Sequence, residues 1–96
     1  TRSLQSLLSI RSEEPIPLRL RIDLALFERL TENPLESDQV ITPEGDGRWL
    51  LECKILPSQG LDLWLLSQGA SVEVLGPPDQ RARIAEKAIA AAALYR

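Results

Sequence analysis

Between Pro17 and Asp23 the chain reads PLRLRID, and this alternation restricts the possible folds more than any other stretch. Leu18, Leu20 and Ile22 recur at every second residue with Arg19 and Arg21 between them. A strand of that pattern buries one face and leaves two guanidiniums on the other. The period then changes at once. Asp23 is placed to cap LALFERLTEN, whose Leu26, Phe27 and Leu30 form a helical stripe, and Asn33-Pro34 ends the helix. A one-faced strand followed directly by a one-striped helix predicts a helix layered on a sheet.

The rest of the chain extends that plan. After the acidic loop LESD come QVIT, the glycine-bearing PEGDG and RWLLECKIL, which together read as a hairpin. In its second arm Trp49, Leu51, Cys53 and Ile55 share a face, with Arg48, Leu50, Glu52 and Lys54 opposite. Ser58 is placed to cap a second helix through LDLWLLSQ, and Gly69 stands where a left-handed capping glycine belongs. SVEVL is a fourth strand. Beyond GPP, Asp79 opens a last helix through IAEKAIAAAALY, with Ile84, Ala88, Ala91 and Tyr95 along one side. Its alanines favour helix and let another element approach closely.

The expected class is therefore α+β: a ferredoxin-like βαββαβ sandwich with an additional C-terminal helix. Right-handed crossovers place strand 1 beside strands 3 and 4 and both inner helices on one face. The open face then carries Arg19, Arg21, Glu52, Lys54 and Glu73.

A chain of 96 residues supports one modest core. Residues 1–14, with Leu4, Leu7 and Leu8 at helical spacing, are too short for an independent helix and read as a linker or the tail of a preceding domain. Residues 15–96 form the domain. The chain opens on Thr1 and contains no methionine, so it reads as a piece of a longer polypeptide. No apolar run approaches the ~20 residues that cross a bilayer, so no membrane is expected. With no signal-like apolar segment and a lone Cys53, the expected setting is cytoplasmic.

The missing chemistry narrows the function. There is no histidine, the commonest general base and metal ligand. One cysteine cannot build a zinc or iron–sulfur site, and no phosphate-cradling glycine loop or nucleophile elbow is present. The paired carboxylates Glu13/Glu14 and those of the 36–38 loop fall in segments that no core desolvates. An enzyme is not expected, and neither is a cofactor or a metal.

Charge is unevenly spread. Five arginines face four acids in residues 1–30, two basic residues face nine acids in 31–80, and four basic residues face one acid in 81–96. The net charge of −3 argues against a stand-alone nucleic-acid binder, whose affinity rests on phosphate neutralisation. Two readings stay open for the arginines. Arg19 and Arg21 either pair across strands with Glu52 and Glu73 or meet another subunit or an anionic ligand. Arg81 and Arg83 sit in the first turns of a helix, where cations oppose the macrodipole. They either reach solvent and nearby acids such as Glu86, or are drawn there by a partner carboxylate or a phosphate.

The segments ENPLESDQVI (Glu32–Ile41) and WLLSQGASVEVLGP, an arginine three residues after Pro78, and the closing AAALY occur in a familiar order. Together they resemble the C-terminal extension (WCX) domain of WYL-domain transcriptional regulators, over residues 16–95. In that family a winged helix binds DNA, a central WYL domain is thought to sense a ligand, and this extension follows. The resemblance implies a ferredoxin-like regulatory domain of a bacterial regulator. It also implies a homodimer, DNA contacted through a winged helix absent from this chain, and an effector signal relayed between domains. Arg81 matches the helix-start arginine and Gln39 the Asp-Gln position. Gly76 replaces a usual acid and Gln80 a usual leucine.

The leading expectation is thus a dimerising regulatory domain with Arg81, Arg83, Arg19, Arg21 and Gln39 as ligand- or partner-binding residues. The alternative is an ACT-like small-molecule sensing module that binds an anionic ligand at a subunit interface. A further reading, direct contact with single-stranded nucleic acid, has only the arginines behind it, because Trp49 belongs to the inward set.

Overall fold

In the computed structural model, which describes residues 14–96, the alternating segment is strand β1 (Ile16–Ile22). Leu18, Leu20 and Ile22 on its inner face are fully buried. The expectation for residues 1–13, with Leu4, Leu7 and Leu8, lies outside the described residues. Helix α1 (Leu24–Glu32) follows, its first turn closed by the Leu26 amide donating to Asp23 Oδ1 at 3.1 Å. Strands β2 (Val40–Gly45) and β3 (Arg48–Ile55) form the hairpin. Helix α2 (Gln59–Ser67) starts at Ser58, whose Oγ accepts from the Leu61 amide at 3.1 Å. A 3-10 turn (Gly69–Ser71), with Gly69 at φ +60°, leads to β4 (Val72–Gly76) and then to helix α3 (Pro78–Ala93).

The architecture is mixed α+β, a four-stranded antiparallel sheet with three helices, in the strand order β2-β3-β1-β4. The central strand is thus the one with the cleanest alternation. Leu26 and Leu30 of α1, Leu61 and Leu65 of α2, Leu51 and Cys53 of β3 and Val74 of β4 join the β1 residues in a single core. Phe27 and Trp49 stack at its margin, with ring centroids 4.5 Å apart and planes 8° from parallel. Trp49 therefore lies on the helix side of the sheet, as its alternation set requires.

Among the boundaries that differ from the sequence reading, two have a plain local cause. PEGDG is not wholly a turn: β2 runs on through Pro43, Glu44 and Gly45, and only Asp46 and Gly47 make the reversal. Both have positive φ, +55° and +71°, the backbone of the two-residue hairpin turn that Asp-Gly favours. The last helix begins at Pro78 rather than Asp79, because a proline at the first helical position gives up an amide that would have no partner.

Candidate functional site

The open face of the sheet is a charge lattice set by register. Arg19 stands opposite Glu52 on β3, and Arg21 opposite Glu73 on β4. Arg19 Nε lies 3.4 Å from Glu52 Oε2. Arg21 donates from Nε to Glu44 Oε1 at 2.9 Å and from Nη1 to Glu73 Oε1 at 3.0 Å. The hydrogen bonds that Arg21 donates to Glu44 and then Glu73 raise its pKa above its ordinary value. Glu44 was missed from sequence because its segment read as turn. Once β2 extends through it, alternation places it on the open face.

Arg81 joins this lattice from α3. Its Nη1 donates to the Val74 carbonyl at 2.9 Å and lies 3.5 Å from Glu73 Oε2. β4 is an edge strand, and Arg81 covers one of its backbone acceptors, a common way to blunt an edge. The opposite edge, β2, carries Pro43.

Arg83 turns the other way, into the junction of α2 and α3. Its Nε donates to Asp62 Oδ2 at 3.0 Å and its Nη2 to Gln80 Oε1, while Gln80 Nε2 donates to Asp62 Oδ1 at 2.8 Å. Asp62 and Gln80 are each 1% exposed. The three side chains close a hydrogen-bonded ring in which the buried carboxylate is matched by a guanidinium. Asp62 and Gln80 were not singled out as site residues, although an acid inside the apolar run LDLWLL is a legible signal. Gln80, the departure from leucine noted above, turns out to be a partner of that acid.

Gln39 binds its own loop. Its Nε2 donates to the Leu30 carbonyl and its Oε1 accepts from the Leu35 amide, both at 3.0 Å. It ties the end of α1 to the start of β2. Of the five residues singled out from sequence, Arg19, Arg21 and Arg81 share the open face, and Arg83 and Gln39 lie apart from them.

Helix α3 has an inverted surface. Its buried residue is Gln80, and Ile84 is the residue that packs on the core. From Ala85 onward every residue is exposed, including Ile89 (70%), Leu94 (80%) and Tyr95 (88%). Among the described residues no group of His, Cys, Asp or Glu could hold a metal ion, and no helix is long and apolar enough to cross a membrane.

These features define a class: a small α+β module with an ion-paired sheet face, whose closing helix is fastened by polar groups and bare along its apolar half. The chain belongs to the WCX domain family, whose profile matches residues 14–92. That membership associates it with regulators of the WYL type. No curated protein matches the chain.

Proposed function

We propose that this chain is the C-terminal regulatory and dimerisation domain of a bacterial WYL-family DNA-binding transcriptional regulator. It carries no DNA contact of its own and passes an effector signal to a winged-helix domain elsewhere in the polypeptide. The observation that carries the reading is the family match over residues 14–92 together with an apolar helix end left bare. The fold is read as ferredoxin-like. The order βαββαβ with β1 between β3 and β4 supports this, as do core contacts from both inner helices. A cytoplasmic setting accords with a buried, unpaired Cys53.

Within that role Arg19, Arg21 and Arg81 are the polar contact surface, with side chains 52%, 39% and 53% exposed. Each exchanges its present carboxylate for that of a partner or for an anionic effector. Arg83 and Gln39 serve the domain's own structure. An ACT-like module that pairs sheets edge to edge is less well supported, because Arg81 covers the β4 edge and Pro43 interrupts β2.

The test compares the regulator that carries this domain with a version lacking residues 14–96, using fluorescence anisotropy on its operator DNA. Removal is expected to weaken binding at least tenfold by abolishing the dimer. Equal affinity and equal effector response in both versions contradict the reading.

A further inference from the structure

The described residues begin beside a groove. Pro15 stands in its wall, where β1 starts and β3 ends, and the cleft runs between the loop at Leu35 and helix α2 with a volume of about 530 Å³. Leu35, Ile55 and Trp64 line it, each packed on the core yet only partly buried. Leu56 beside them is 47% exposed. Two charges, Glu36 and Lys54, complete the lining. An apolar cleft with a few polar groups at its margin is the usual form of a seat for another apolar group.

The chain just before Pro15 carries side chains of the matching kind. Leu4, Leu7 and Leu8 recur at the spacing of one helical face, with Gln5, Ser6 and Ser9 off it. At about 100° per residue, Arg11 continues that face on the side nearer Pro15. A helix this short is marginal alone in water, and packing of its apolar face is what stabilises such a helix in a protein. The leucine face needs a cover, and the groove needs an apolar occupant.

Connectivity and charge favour this occupant over a separate molecule. From Arg11 to Pro15 the backbone spans at most about 14 Å, so the leucine face stays close to the groove that Pro15 lines. A tether that short sets an effective concentration on the order of millimolar, which a second copy or a free peptide would have to match. A tethered segment can also do with less contact than the ~800 Å² per partner of a stable interface between separate chains. Arg11 is opposite in sign to Glu36 in the lining, and Glu13 to Lys54.

We infer that Leu4, Leu7 and Leu8 form a short helical strap that docks in the Leu35–Leu56–Trp64 groove of its own chain, with Arg11 toward Glu36. The inference does not depend on the dimer reading. The test uses the whole 96-residue chain with Cys53→Ser as background. Leu7→Cys paired with Leu56→Cys is expected to form an intra-chain disulfide on mild oxidation. It should do so at least tenfold faster than Leu7→Cys paired with Leu63→Cys, a position on α2 that is 60% exposed and outside the groove lining. In a second measurement, Leu7→Asp with Leu8→Asp is expected to speed tryptic cleavage after Arg11 at least tenfold, with the circular dichroism of the folded body retained. Equal cross-linking at the two positions, disulfides found only between chains, or a cleavage rate that the aspartates leave unchanged overturns the inference.

Discussion

At the scale of single residues, the groups that matter most are polar ones whose bonds are made at home. The Asp62–Gln80–Arg83 ring is the clearest case. Asp62 and Gln80 are buried whereas Arg83 stays 27% exposed, so removing the carboxylate mainly leaves the buried Gln80 amide without a partner, at a cost of roughly 1–3 kcal/mol. Asp62→Ala is expected to lose that much stability in urea unfolding. Asp62→Ala and Gln80→Ala together are expected to cost less than the two losses added, because the second change removes a bond already broken. Asp23 gives a pH-dependent case. The bond from the Leu26 amide holds its carboxyl below the usual aspartate range. A group whose folded pKa is depressed contributes stability above its unfolded pKa and loses it as pH falls through the folded one. Asp23→Ala should therefore cost about 1 kcal/mol at pH 7, and the gap from wild type should close below about pH 4. Cys53 reports on closure of the core. Burial, with help from the charges of Asp38 and Glu36, pushes its thiol up to about 11. A thiol reagent at pH 8 should react with the native chain orders of magnitude more slowly than with the unfolded one.

At the scale of elements, legibility followed periodicity. β1 was readable because its two faces differ in every pair of residues, and Glu52 and Glu73, though not Glu44, followed from the same alternation as partners of Arg19 and Arg21. Asp23, Ser58 and Gly69 were readable because capping is local chemistry. The end of β2 was not, since Pro43 and Gly45 both look like breakers. An edge strand tolerates a proline because half its backbone groups have no ladder partner. The fate of Arg83 was also hidden. Sequence shows a cation in the first turns of a helix, but not the buried Asp62 that reaches it from 21 residues away. Helix α3 was half legible. Its apolar side could be drawn from spacing, whereas which half of it the body covers is set by where β4 ends. Leu20→Ala, in the central strand and fully buried, should cost about 2–5 kcal/mol, whereas Ile89→Ala on the bare half should leave monomer stability nearly unchanged.

At the scale of the whole molecule, the two sides of the sheet divide the work. One side holds the core between sheet and helices, and the other is a lattice of paired charges that α3 joins through Arg81. Sheet extension is hindered at both edges, and among the described residues the end of α3 exposes Ile89, Leu94 and Tyr95. Arg81→Ala should weaken assembly more than it lowers the melting temperature, since the guanidinium is half exposed and its ion pair with Glu73 is weak. The most direct measurement is hydrogen exchange of the α3 amides at two protein concentrations, one below and one above the dimer dissociation constant. Residues 85–93 should exchange rapidly when dilute and become protected when concentrated, while β1 amides stay protected throughout. Protection of residues 85–93 that is the same in the dilute and the concentrated chain would contradict a dimer formed through this helix.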